Sequence, residues 1–349
     1  FLIRIAGVSY GLPLWLVDDE SPFVLAALKM LELKTLLPVF HFADFKTVLY
    51  YPPYLSYLYL PFFTALVAVK FLLYKGASGL FAAYLLSDLS GFFVIARSIN
   101  ALLGVLSVYL VYKISESLFK NKNAALVSAF ILSTSLIHTA LSITSRHWLS
   151  VFFFSALTLF WLSKSNLDFK KKYLLAVISA GIGIGFAIIN FFLAILIVFW
   201  YIFYEKRPLL NIFKEKFFYL LYAVFFALLA LPYILYPGSL GFKADLTAKT
   251  AKTVLGAVTS PIFFAKTIAV SEPLIIIFAV LGLLFAFRNL KNIFWAFFAF
   301  IYAYSVIFYL VFRFEPRFFM GLLPFYVILA GYGFYETQKL LPQKILSKI

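Results

Sequence analysis

The sequence predicts an all-α fold, a polytopic transmembrane helical bundle of about ten to twelve spans, and three observations predict it. Of 349 residues, 64% are hydrophobic and only 13% charged, whereas a soluble domain has nearer half apolar and a quarter charged. The 45 Phe and 23 Tyr exceed what a soluble core of this length hides without large exposed apolar patches. The apolar residues also fall into runs cut by short charged or Pro/Gly/Asn punctuation. Mean hydropathy is +1.00. Soluble globular, disordered and collagen-like classes are excluded.

The elements follow in chain order. Phe1 to Leu16 is apolar but short for a span of about 20 residues, and reads as the outer half of a first helix whose beginning is missing. Segment 17–53 is an outward loop, partly helical. Within it, 23–36 has Phe23, Val24, Leu25, Leu28, Leu31 and Leu36 on one face and Lys29, Glu32 and Lys34 on the other, the pattern of an interfacial amphipathic helix. Ser21 would cap it and Pro22 would open it. Further apolar runs cover 54–75, 78–96, 98–113, 124–140, 148–163, 173–187, 189–203, 217–236, 271–287, 293–312 and 318–335. The stretch 54–96 can span as a hairpin or lie at the interface, and either choice leaves downstream sidedness unchanged. Segment 237–270 is a second, basic outer loop. The whole of 1–349 is expected to form one transmembrane domain.

Lys and Arg orient the bundle, because cytoplasmic loops carry their excess. Short clusters at 113–122, 164–172, 206–216, 288–291 and 339–348 hold sixteen of the thirty, against eleven in longer opposite loops. The clustered side is taken as cytoplasmic, so chemistry belongs on the outer face of a plasma (inner) membrane. The +16 charge is explained by these membrane-facing loops, and nucleic acid is not an expected partner; membrane lipids are. Without Cys there is no disulfide or thiolate metal site. His41, His138 and His147 lack metal-ligand spacing, so neither a metal nor a cofactor is expected. Gly181-Ile182-Gly183-Ile184-Gly185 lacks a strand–turn–helix context and reads as close helix packing.

Asp18-Asp19-Glu20 follows closely on Gly11-Leu12-Pro13-Leu14-Trp15 at the outer end of the first helix. Three adjacent carboxylates at a low-dielectric boundary repel, which raises the pKa of at least one, as a general base for a hydroxyl requires. Solvated loop acids or a helix-end charge are the plainer alternatives. Tyr51, in Tyr50-Tyr51-Pro52-Pro53-Tyr54, is an interface anchor or lines a substrate. Arg97, Arg146 (beside His147), Arg313 and Arg317 all head or end helices on the acidic face. One such Arg snorkels; four together point to an anion site.

These stations, taken in order, resemble the GT-C superfamily of membrane glycosyltransferases, specifically relatives of protein O-mannosyltransferases (glycosyltransferase family 39) and of the aminoarabinose transferase. The resemblance rests on Gly11-Leu12-Pro13 through Asp19-Glu20, on Tyr51-Pro52-Pro53-Tyr54, on Ala96-Arg97-Ser98-Ile99-Asn100 through Gly104, and on Arg317-Phe318-Phe319-Met320-Gly321 through Pro324. It implies an enzyme that moves a hexose or pentose from a polyprenyl-phosphate-linked donor to a hydroxyl of a protein, lipid or glycan acceptor, with inversion. By that carry-over Asp19 is the base and Glu20 its catalytic partner. Arg97 and Arg317, with Arg313, hold the donor phosphate, while Asp18, Tyr51, Arg146 and His147 line the substrate. Two departures stand out. Relatives have an Asp where Arg146-His147-Trp148-Leu149-Ser150 has no acid, and a Lys where this chain has Asn190-Phe191. The competing expectation from another class is a transporter or flippase for a lipid-linked or anionic solute.

Overall fold

Backbone inside hydrocarbon must satisfy its own hydrogen bonds, and the apolar runs do so as helices. The computed structural model describes residues 2–13, 20–240, 253–311 and 316–340, and among them there is no strand. The chain opens with α1 (Leu2–Ile5), α2 (Ser21–Glu32), α3 (Phe42–Phe45), α4 (Tyr54–Leu73) and α5 (Phe81–Ser87). It continues through α6 (Ser90–Phe119), α7 (Lys122–Thr134), α8 (Leu136–Ser142), α9 (Trp148–Ser163), α10 (Phe169–Phe186) and α11 (Leu193–Phe199). It closes with α12 (Lys216–Leu235), α13 (Val254–Ser271), α14 (Pro273–Asn289), α15 (Lys291–Val311) and α16 (Leu323–Leu340). Among the described residues five helices are long and apolar enough to cross a membrane, namely α4, α6, α12, α13 and α15; α7 with α8, bent by 59°, makes a sixth if the pair is one span. Shorter apolar helices such as α9 and α14 pack among them. The chain is a multi-pass membrane protein.

The structure corrects several boundaries. Arg97 does not separate two spans, because α6 runs unbroken through it for 30 residues. The run 78–96 instead breaks at Asp88-Leu89, between α5 and α6. Ser21 is the first helical residue of α2 and not its cap; Glu20 holds the cap position without capping through its side chain. The segment 237–270, expected as a loop, contains most of α13, an 18-residue apolar helix that ends at Ser271. Runs 173–187 and 189–203 are separate, as drawn, because Ala187 takes an extended conformation (φ −155°, ψ 125°) after α10.

The largest core joins α6, α7 and α9 through α16. α16 is buried along Leu323–Gly333 because it sits between α7 and α14. Backbones approach closely there: a Cβ on Gly282 would collide with the Leu329 carbonyl, and one on Gly331 with Ser128. Small residues at such crossings are how membrane helices gain contact area. The glycines of α10 serve the same end, since Gly185 faces the Tyr54 ring and Gly181 faces Leu228. A second core packs Phe23, Val24 and Ala27 of α2 against Leu55, Tyr59 and Phe63 of α4 and Phe92, Phe93 and Ala96 of α6. That core fixes α2 over the start of α6.

Candidate active site

Glu20 and Arg97 meet in that region. Arg97 donates from Nε to Glu20 Oε1 (3.0 Å) and from Nη2 to Oε2 (2.6 Å), a bidentate pair with both side chains 1% exposed. Its Nη1 donates to the carbonyls of Val8 (2.9 Å) and Tyr10 (2.7 Å). Glu20 Oε1 also accepts the Ser145 N–H at 2.6 Å. A planar guanidinium suits such a fork, and a buried charge is tolerated when it is paired and hydrogen-bonded in this way. Asn100 lies three residues after Arg97 and so on the same helix face. Its Nδ2 donates to the carbonyls of Thr144 (2.6 Å) and Arg146 (3.0 Å), and its Oδ1 accepts from Tyr59 Oη (3.2 Å). Residues 8–10, Glu20, 97–100 and 144–146 are therefore tied into one clasp.

The clasp delivers the loop 143–147 to a cavity of about 70 Å³. Tyr51, Pro52, His147, Trp148, Arg317 and Phe318 are among its lining residues. Rings line up along it: Phe23 stacks on Tyr51 at 5.1 Å, Tyr51 lies 4.7 Å from His147, and His147 lies 4.3 Å from Trp148. The Arg317 guanidinium carbon sits 5.5 Å from the Trp148 ring centre, within cation–π range.

His147 reports the field in the cavity. Burial, followed by the charges of Arg317 and Arg146, pushes its imidazole down from 6.5 to about 3. The ring is therefore neutral at physiological pH, and its Nδ1 is buried without a hydrogen-bond partner. Two arginines that disfavour a cation here favour an anion. Between pH 6.5 and 3 the unfolded chain holds a proton that the folded chain refuses, so stability falls as pH drops through that window. His147 contributes up to about 1.4 kcal/mol per pH unit there. The His147→Gln variant is expected to lose less thermal stability than wild type between pH 6.5 and 4.5. An equal loss in both proteins would show that this imidazole is not the titrating group.

Of the residues expected to form the site, the structure brings Tyr51, His147 and Arg317 into one cavity, with Arg146 beside them. Glu20 and Arg97 do not line it. Arg97 was expected at a helix end facing donor phosphate, but it lies within α6 and spends its N–H groups on Glu20, Val8 and Tyr10. Glu20, expected as a catalytic acid, has its carboxylate committed to Arg97 and Ser145. Asp18, Asp19 and Arg313 lie outside the described residues. Sequence reasoning missed Tyr59 and the bonding role of Asn100, although Arg97-Ser98-Ile99-Asn100 carried the spacing. It also passed over Trp148, the platform under Arg317. No group of three metal-ligating side chains occurs among the described residues.

Comparisons with known proteins agree with this architecture. Residues 78–236, a little under half of the chain, match the family model of dolichyl-phosphate-mannose-protein mannosyltransferase. The crystal structure of ArnT from Cupriavidus metallidurans bound to undecaprenyl phosphate is similar in fold, with a TM-score of 0.62 at 14% identity, covering 99% of this chain and 60% of that one. The apo ArnT structure from the same organism gives 0.57 at 14% identity, covering 95% and 57%. The chain thus spans less than two thirds of the proteins it is matched to. No curated protein sequence matches significantly. The fold is that of the ArnT structures, and the family-model match over 78–236 agrees with the resemblance drawn from the sequence motifs.

Proposed function

We propose that the chain is a membrane glycosyltransferase that transfers a sugar from a polyprenyl-phosphate donor to an acceptor hydroxyl, with inversion, on the outer face of a plasma (inner) membrane. The observation that carries this reading is the cavity in which Arg317 lies over Trp148, beside Tyr51 and a His147 held neutral. It offers a cation and aromatic walls to a phosphate joined to an apolar chain. The ArnT structure of similar fold holds undecaprenyl phosphate, a ligand of that chemistry. In the reaction the acceptor oxygen attacks the anomeric carbon as Asp19 takes the hydroxyl proton. The bond from that carbon to the phosphate oxygen breaks, and its electron pair leaves with polyprenyl phosphate. Arg317 stabilises the charge growing on that oxygen. The Glu20–Arg97 clasp fixes the chain one residue from Asp19. No metal or cofactor enters this scheme.

The transporter alternative draws on one observation, the bent pair α7–α8, since transporters place broken helices at their binding sites. The charges at that bend are engaged with the helix ends themselves.

The test is to supply purified protein in nanodiscs with a panel of polyprenyl-phosphate sugars and follow release of polyprenyl phosphate. Release by wild type supports the transferase; binding without release across acceptors of all three classes contradicts it. Arg317→Ala is expected to lower kcat/KM for the donor about 10- to 100-fold, the loss of a charged hydrogen bond, with Arg317→Lys in between. An unchanged kcat/KM in Arg317→Ala would remove Arg317 from the phosphate.

A further inference from the structure

The bend between α7 and α8 exposes backbone groups that a continuous helix would satisfy. Ser135, the hinge (φ −57°, ψ 121°), leaves carbonyls at the end of α7 and N–H groups at the start of α8. The bend lies 13 helical residues, or about 20 Å, from the Lys122 end of α7, and polar backbone groups orphaned inside a membrane protein are costly. Two side chains from distant parts of the sequence meet them. Arg4 of α1, 2% exposed, donates from Nη2 to Leu132 O (3.3 Å) and from Nη1 to Ser133 O (3.4 Å). Its Nη2 also donates to His138 Nδ1 at 2.9 Å, which requires a neutral imidazole. Glu272, the residue between α13 and α14, accepts from Ser135 Oγ (2.6 Å) and from the Ile137 N–H (2.9 Å) through Oε1. The cation meets carbonyls and the anion meets donors.

The bend directs α8, and α8 runs straight into the loop 143–147 that carries Ser145, Arg146 and His147. The far end of that loop is fixed by Glu20 and Asn100. Its near end is pressed onto α6, where a Cβ on Gly104 would collide with Ser142 and crowd Arg4 Nε. Neither Arg4 nor Glu272 lines the cavity.

We propose that Arg4 and Glu272 are positioning residues: together they hold the α7–α8 bend and so set where His147 and Arg146 stand in the cavity. The link to turnover rests on the transferase reading; the link to the bend does not. A chain without Cys allows spin labels at Leu126→Cys and Ala140→Cys, exposed sites on α7 and α8. Wild type gives one narrow distance. Glu272→Ala and Arg4→Met are expected to lengthen and broaden it, and to lower kcat at saturating donor about ten-fold or more, the cost of a misplaced group. Glu272→Gln keeps an acceptor oxygen for both donors and is expected to retain the wild-type distance and a kcat within about three-fold. Should Glu272→Ala fail to accumulate, Ser135→Ala removes one of the two bonds and moves both readouts in the same direction by less. An unchanged distance overturns the clamp. A changed distance with unchanged kcat overturns the positioning of the site. If wild type transfers no sugar at all, the transferase reading fails and the distances alone decide the clamp.

Discussion

Asp19→Asn is expected to abolish sugar transfer, lowering kcat at least about 100-fold, the usual contribution of a positioned general base, while leaving expression, melting temperature and donor binding near wild type. The amide keeps the shape of the carboxylate and removes its basicity. The neighbouring Glu20 cannot substitute, because its oxygens are committed to Arg97 and to the Ser145 N–H. Single-turnover assays with a polyprenyl-phosphate sugar check this, and retained turnover in Asp19→Asn would remove Asp19 from the role of base. Glu20→Gln separates the two acids: its expected defect is in stability first, and in rate only as the clasp loosens.

The largest effect on stability is expected from Arg97→Met. It strands the Glu20 carboxylate in a buried site and leaves the carbonyls of Val8 and Tyr10 without their donor. Breaking one side of a buried pair costs about 3–5 kcal/mol. The double variant Glu20→Gln, Arg97→Met removes the stranded charge and is expected to recover part of that loss, a non-additivity that a double-mutant cycle in thermal unfolding measures directly. Additive losses would mean that the two groups stabilise the fold independently. The Ser145 N–H shares Glu20, so Arg97→Met is also expected to lower transfer through the loop that bears His147.

The membrane class was legible because hydropathy is a sum over many residues and tolerates local error. The boundaries were not, and α6 shows why. An Arg inside an apolar run reads as an interruption, and the carboxylate that lets it stay buried lies 77 positions away. Glu20 stood out in sequence as one of three adjacent acids, and its bonds to Arg97 and the Ser145 N–H come from parts of the chain its neighbours do not show. His147 and Arg317 were read as polar groups at helix ends, and the fold brings both into one cavity with Tyr51. Arg4 and Glu272 were passed over because each is a lone charge in sequence. Only the bend between α7 and α8 gives them a partner, and a bend at Ser135 leaves no mark stronger than a serine in an apolar run.

The most direct test of the central claim is an experimental structure of the protein with undecaprenyl phosphate in a lipid nanodisc. The phosphate is expected within hydrogen-bond distance of the Arg317 guanidinium, in the cavity walled by Tyr51, His147 and Trp148, with the prenyl chain leading from it into the bilayer. A phosphate seated elsewhere, with that cavity empty, would contradict the claim.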